Sequence, residues 1–373
     1  MKPELIKELA QSAGFDLVAL GPADPGLDGE RFLEWIKAGR HGSMEYLARN
    51  AHKIASGDGF LPGASSVISL GWDYSRAPVT LQGGGQIARY AAGRDYHRAL
   101  GSRLKRLKAD LIRAGMGAES LRFGVDAVPV LERALATTAG LGFQAKSGGV
   151  IHPRRGPWLL LAEILSHEDL EPDPPSPGSC GTCSACLDVC PTKAITAPYE
   201  VDGGLCLSYT TIEHRGPIPH ELRKAQGAWV FGCDLCLEVC PYHRFSTERP
   251  PTDPDRTLHP ALESVSLLGV LELSEEAWQR DWTGIAMRRA KREGLRRNAA
   301  IALGNLGEEA AIPSLKRCLE EPDAGLRTAA AWALAQLGVG SGDIEAALAR
   351  EEDDRIREDL KRSLEGPGRD AFQ

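Results

Sequence analysis

Apolar positions divide this chain into two halves of different rhythm. The opening MKPELIKELAQSAGF has the spacing of an amphipathic helix, and Glu30–Arg49 is mostly helical in pattern. Ser65–Leu70, Leu121–Val125 and Trp158–Ile164 are short apolar runs of strand type. Between the first two lies a basic helix, Tyr96–Ala114. Leu100, Leu104, Leu107 and Leu111 keep helical spacing along it, and Arg103, Lys105, Arg106, Lys108 and Arg113 fall mainly on the other face. QGGGQ (82–86) follows none of these strands and is expected to be a flexible loop. The second half is helical and repetitive. LRRNAAIALGNLG (295–307) returns as LRTAAAWALAQLG (326–338), offset by 31 residues, with a second helix at Ile312–Leu319 and a weaker third copy near Ile356. Small-residue helices ending in glycine at such a period predict stacked helical pairs of the HEAT kind, as an appendage too short to stand alone.

Two proline-rich joints, EPDPPSPGS (171–179) and ERPPTDPD (248–255), mark the divisions. They give parts 1–170, 171–250 and 251–373. Strands and helices in the first part and helices alone in the last predict an α+β fold with an α-helical repeat end.

Length and composition narrow the picture little. A chain of 373 residues with 42% hydrophobic and 25% charged content is an ordinary multidomain globular protein. No apolar run reaches membrane-spanning length and the first thirty residues have no signal-peptide pattern, so no membrane partner and a cytoplasmic location are expected. Nine cysteines in that reducing setting point to metal rather than disulfides. A net charge of −7 argues against a surface that coats nucleic acid everywhere, without excluding a local patch.

The cysteines carry the chemistry. CGTCSACLDVCP (180–191) has the C-x2-C-x2-C-x3-C-P spacing of bacterial ferredoxins, in which three thiolates wrap one cubane and the fourth serves another. CDLCLEVCP (233–241) repeats its end but has Val230 where the first cysteine would stand, and Cys206 lies between the two motifs. The count closes as Cys180, Cys183, Cys186 and Cys240 on one [4Fe–4S] cluster and Cys190, Cys206, Cys233 and Cys236 on the other. Cys318 is left as a buried apolar residue. Structural zinc also uses C-x2-C, but needs neither the third close cysteine nor the prolines. The centre of the chain therefore reads as a two-cluster electron wire.

Four-thiolate cubanes leave no open site for an organic substrate, so the wire must feed another cofactor in the first part. No G-x-G-x-x-G follows a strand there. DYHRALG (95–101) approaches a D-x-H-x-x-G cobalamin motif with its glycine one residue late, and is set aside as coincidence.

RYAAGRDYHRAL, RFGVDAVPVLERALATTAGLG, CGTCSACLDVCPTKAI, CLSYTTIEHRGPIP, FGCDLCLEVCPYHRF and AMRRAKREGLRRNAAIALGN together resemble the epoxyqueuosine reductase family, in order and over nearly the whole chain. The resemblance implies a nitroreductase-like cobalamin-binding domain, a ferredoxin-like double-cluster domain and HEAT-like repeats. The implied reaction is removal of the epoxide oxygen from epoxyqueuosine at the wobble position of tRNA with a GUN anticodon. Cobalamin would be bound base-off, two [4Fe–4S] clusters would supply it, and an external one-electron donor such as a flavodoxin or ferredoxin would feed them. The family precedent points to a monomer. The proton donor of its V-D-x-x-P motif matches Asp126, whose apolar neighbours Phe123, Val125, Ala127, Val128 and Val130 are expected to raise its carboxyl pKa; capping of the following helix is the plain alternative. Arg133 is a candidate to orient acid or substrate, and Asp95 a weaker polar candidate that also suits a helix cap. For the corrin, Arg49, Arg89, Ser208 and Asp126 are candidates, since arginines suit its carboxamides and phosphate.

From Met287 to Asn298 six basic residues, Arg288, Arg289, Lys291, Arg292, Arg296 and Arg297, stand against one acid, Glu293. Such a run is usually just solvated, but under the resemblance it becomes a candidate tRNA surface. His152, Arg154, Arg155, His214, Arg215 and Arg223 are candidates for further contacts. Where relatives read VDTGPVLER this chain has VDAVPVLER, and GLGWIGKN is replaced by GLGFQAKS (140–147), keeping Lys146 but placing Phe143 in the expected wall of the cofactor pocket. A reductive dehalogenase, or an electron carrier with no chemistry of its own, are the competing readings.

Overall fold

The computed structural model describes residues 1–57, 59–246 and 253–366. Its first part is built on a four-stranded antiparallel sheet in the order Leu17–Pro22, Ser66–Asp73, Leu159–Ser166, Leu121–Gly124. The three expected strands are present. Leu17–Pro22 escaped sequence reading because its apolar run is short, yet it pairs along its whole length with Ser66–Asp73. Every residue of that central strand is buried, so it shows no alternation to read.

The two faces of the sheet have different covers. Ile68, Leu70 and Trp72 pack with Leu100, Leu104, Leu107 and Leu111 of the helix Tyr96–Arg113. Val67 and Leu165 pack on the other face with Leu135, Ala136 and Ala139, around the helix Glu132–Thr138. The expected helix Glu30–Arg49 is instead two, Leu27–Lys37 and Glu45–Arg49. Gly39 and Gly42 between them adopt φ of 71° and 58°, which a continuing helix does not allow.

QGGGQ is not a free loop. It turns a hairpin between Val79–Thr80 and Gln86–Ile87, and the second strand pairs in parallel with Trp229–Phe231 of the cysteine-bearing part. The amide of Leu267 donates to the Gln82 carbonyl at 2.8 Å, tying in the helical part as well.

The repeats appear as Lys291–Leu306 with Ile312–Cys318, Ala324–Gln336 with Ser341–Arg350, and a last helix Asp354–Leu364, which is the weak third copy. Small residues allow the close stacking; a Cβ on Gly304 would stand 2.7 Å from the Ala333 Cα. The repeats share one core with Leu81, Ile87, Ile218, Val230 and Phe231, so they are built into the molecule rather than appended.

Of the second proline cluster, residues 248–252 lie outside the described residues. Asp253 and Asp255 clamp Arg103 at 2.7 and 2.6 Å. Arg103 and Arg256 both stand over the Trp72 ring, at 5.5 and 4.5 Å. Among the described residues no helix is long and apolar enough to cross a membrane.

Candidate active site

Two cysteine loops meet back to back. Cys180–Cys186 closes by a bond from the Cys183 amide to the Cys180 carbonyl and enters the short helix Ala185–Val189. That helix packs on Leu235–Glu238, which carries Cys236. A small pocket is lined by Cys180, Cys183, Cys186, Cys236 and Cys240, with Lys146 and Tyr242 in its wall. The four cysteines of the first expected quartet all line it, together with Cys236 of the second. Cys190, Cys206, Cys233 and Cys236 lie close enough to feel one another's charge. Burial pushes the thiols of Cys206 and Cys233 up, and that of Cys236 up to about 12. Half-buried thiols crowded against one another suit iron, which deprotonates them and balances the thiolates. The donor set therefore fits two clusters. Cys318 sits in the repeat core, as expected of an apolar residue.

Lys146 belongs to the first quartet. Its amide donates to Cys180 Sγ at 3.4 Å, and its Nζ donates to the carbonyls of Gly181 and Cys183 at 2.7 and 2.9 Å. Phe143 is buried with Tyr242, Cys180 and Cys240, so the substitution read as altering a corrin wall lies at the cluster cavity instead.

Asp126 follows the strand Leu121–Gly124 in a tight turn. The turn closes so near the strand that a Cβ on Gly124 would stand 2.2 Å from Val128. Asp126 has φ 55°, the left-handed region that costs a non-glycine residue about 1 kcal/mol or more. Its amide donates to Glu132 Oε1 at 2.5 Å. Its Oδ2 accepts from the Tyr96 hydroxyl at 2.6 Å and lies 3.2 Å from His97 Nε2. Asp95 caps the helix through the His97 amide and also holds His97 Nδ1 at 2.8 Å. The helix Glu132–Thr138 has no side-chain cap, so capping is not the task of Asp126.

The expected apolar surroundings of Asp126 are corrected by this geometry. Its side chain is 59% exposed. The His97 hydrogen bond, against some desolvation and helped by Tyr96, holds its carboxyl below the usual range. The same bond, with that from Asp95, raises His97 to about 9. The raised carboxyl is Glu132, pushed up to about 8 by burial and by the charge of Asp126. At neutral pH the site therefore holds protons on His97 and Glu132, beside an ionised Asp126.

Arg133 does not bond the acid. Its Nη1 donates to the Gly148 carbonyl at 3.0 Å, while its charge reaches both Asp126 and Cys206. That places the second cysteine quartet on the Asp126 side of the wire. Ser208 is half-buried and its hydroxyl has no hydrogen-bond partner among the described residues; Arg49 is exposed and likewise unpaired. Arg89 is a correction. It is 6% exposed, donates to Glu238 and to the Arg76 carbonyl at 2.7 Å each, and covers Trp158 at 4.2 Å. Its guanidinium is a prop between segments and is not free for a corrin.

The basic run divides by burial. Arg296 and Arg297 are 7% and 2% exposed. Arg296 serves the Leu271 carbonyl and Glu321, and Arg297 the carbonyls of Thr210, His214 and Gly216. Arg292 is committed to Glu275, Glu293 and the Leu273 carbonyl. These three cannot face phosphates, and neither can Arg223, which is fully buried against Asp359. Lys291 and Arg289 are exposed and Arg288 partly so. Arg289 is held bidentately by Glu213 at 2.7 Å and stands 5.9 Å over the Tyr46 ring. Tyr46 is 41% exposed, and the charge of Asp126 reaches both it and Arg289. Arg289 thus lies within reach of the acid.

Sequence reasoning missed Tyr46, Tyr96, His97, Glu132 and Glu213. The signal for two of them was present in DYHRALG, set aside because it failed as a cobalamin motif. Glu132 stood in the quoted VLER, where nothing marks a buried carboxyl.

Three family models match the chain: epoxyqueuosine reductase QueG, DUF1730 over residues 57–127, a 4Fe-4S double cluster binding domain over 179–243, and HEAT repeats over 283–365. An epoxyqueuosine reductase of Xanthomonas campestris pv. campestris is 37% identical over 342 residues, 90% of this chain and 96% of that protein. That of Escherichia coli K12 is 35% identical over 337 residues, 89% and 88%. Among solved structures, an epoxyqueuosine reductase with a tRNA-Tyr epoxyqueuosine-modified stem loop superposes with a TM-score of 0.84 at 27% identity, covering 97% of both chains. The Streptococcus thermophilus enzyme gives 0.83 at 26%, over 98% of this chain and 99% of that one.

Proposed function

Because the chain belongs to the epoxyqueuosine reductase family, we propose that it reduces epoxyqueuosine in the anticodon of tRNA to queuosine, with Asp126 at the reacting centre. The observation that carries this is the line from an exposed carboxylate held by Tyr96 and His97, past Arg133, to one half-buried cysteine quartet and on to a second whose neighbours are exposed. Converting an epoxide to an alkene and water takes up two electrons and two protons. Held by the two quartets, [4Fe–4S] clusters would supply the electrons singly, and cobalamin bound beside Asp126 would supply a one-electron-accepting metal for the strained ring.

The chain's own residues handle the proton. His97 holds one at neutral pH, 3.2 Å from Asp126. Substrate and cofactor over Asp126 remove the water that now favours its ionised form, raising its pKa toward that of its neighbour. A proton then moves from His97 through Asp126 to the departing oxygen, as general-acid catalysis requires, and the second proton of the released water follows by the same route once His97, 42% exposed, is recharged from solvent. Ser208 and Arg49 are the residues left to hold corrin side chains. Arg288, Arg289 and Lys291 track phosphates, and Tyr46 offers a stacking face for an anticodon base turned out of its loop. In this reading residues 1–170 carry the chemistry, 171–250 the wire and 251–373 the RNA. The protein works as a cytoplasmic monomer supplied by an external one-electron donor.

Anaerobic purification with added cobalamin tests it. Cubane and base-off cob(II)alamin EPR signals, together with turnover of tRNA bearing epoxyqueuosine, are expected. Clusters without a corrinoid signal would leave an electron carrier; zinc in place of iron would reject the reading.

A further inference from the structure

All eight cysteines of the two quartets are half-buried, but their surroundings differ. Around Cys180–Cys186 the residues Gly181, Thr182 and Ser184 are exposed, whereas Cys206 is followed by buried Leu207 and Cys233 is flanked by buried Gly232 and Asp234. Electron transfer weakens steeply with distance, so a donor must reach the first quartet, and the second faces Asp126.

Beside Cys240 runs the short helix Pro241–Phe245. Val239 and Phe245 are 38% and 41% exposed. The Arg244 guanidinium covers the Phe245 ring at 4.7 Å. Tyr242 joins that ring at 5.9 Å to Phe143, itself at 5.1 Å, in the cavity wall. The turn His152–Gly156 packs alongside, with Ser246 Oγ donating to the Arg155 carbonyl at 3.0 Å and Arg154 exposed. An apolar centre with exposed Arg244 over it and Arg154 in the adjoining turn, on a chain of net charge −7, is the form of a small, electrostatically steered, short-lived contact.

We propose that Val239, Arg244, Phe245 and Arg154, over Cys240, form the docking face for an acidic one-electron carrier protein. This rests on the two-cluster reading above. It takes Arg154 from the RNA contacts suggested by sequence and gives it to the donor. Of the cations left for RNA, Arg289 lies within reach of the Asp126 charge, where the substrate base has to arrive. The carrier is oxidised by one electron per encounter and the first cluster reduced by one; no proton or bond changes place.

The test uses holoenzyme, with plant-type [2Fe–2S] ferredoxin as the acidic carrier and dithionite as a small reductant. For Arg154→Glu/Arg244→Glu, cluster reduction by ferredoxin at low salt should slow at least tenfold and lose most of its salt dependence. Reduction by dithionite and affinity for the tRNA stem loop should stay unchanged. Phe245→Ala, which leaves the charges alone, should slow the ferredoxin reaction at every salt concentration. Unchanged ferredoxin rates in both variants overturn the proposal, and weaker stem-loop binding with unchanged ferredoxin rates assigns the face to RNA. Failure of dithionite to reduce any cluster in the unsubstituted protein would sink the two-cluster reading itself, and this face with it.

Discussion

The amide of Asp126 donates to the Glu132 carboxyl at 2.5 Å. This bond crosses the base of the turn that presents the acid, and it offsets the left-handed backbone of Asp126. Glu132 is otherwise half-buried, and once ionised its charge raises the fully buried Glu163 further. Glu132→Gln keeps an acceptor oxygen and should retain most turnover. Glu132→Ala removes it and should lower kcat by about 10-fold or more, the cost of about 1–2 kcal/mol for one lost hydrogen bond. KM for tRNA should be little changed, since no proposed RNA contact is touched.

The same residue makes stability depend on pH. The folded pKa of Glu132 is raised, to about 8, above an ordinary value of 4.5. Its contribution is complete below the ordinary value, declines as the unfolded chain ionises, and is lost once pH passes about 8. His97, raised from 6.5 to about 9, adds a loss of the same sign between those values. Thermal midpoints at pH 5 and pH 8 should therefore fall more in the unsubstituted protein than in Glu132→Gln. Equal falls would show that Glu132 ionises normally.

Asp126→Asn keeps size and hydrogen bonding but can neither pair with protonated His97 nor pass a proton. Turnover should fall about 10²- to 10⁴-fold with iron content and stem-loop affinity unchanged. His97→Gln should also lose turnover, and its residual rate should no longer follow a group titrating near 9. Activity of Asp126→Asn close to that of the parent would remove the carboxylate from the reaction.

Two neighbours in one basic run should behave as different kinds of residue. Arg297→Ala strips buried carbonyls of their donors and should cost about 3 kcal/mol of stability. Lys291→Ala should leave the melting temperature alone, weaken tRNA stem-loop binding and lower its salt slope by about 1.

Among the cysteines, Cys206→Ser should cost one cluster and bring iron from about eight atoms per chain toward about four. Cys318→Ala should leave iron unchanged. Iron and EPR measurements on the two variants check the assignment.

The cysteine wire was legible because ligation of a cubane is written in local spacing: turns of two and three residues between thiolates hold wherever the loop sits in the fold. The helical repeats were legible for a similar reason, since small residues and terminal glycines recur with the stacking. Asp126 could be found from its motif, but not its state. Its partners Tyr96 and His97 come from another element 30 residues away, and Glu132 from the next helix. The basic run shows the same limit, as Arg297 and Lys291 read alike in sequence.

Sequence alone thus determined which chemistry the chain can hold, because that depends on residue types at short range along one backbone. Tertiary structure alone decided where protons rest and which cations remain free. Both follow from how much water each group loses and which charges it meets, and those are set by segments distant in the chain.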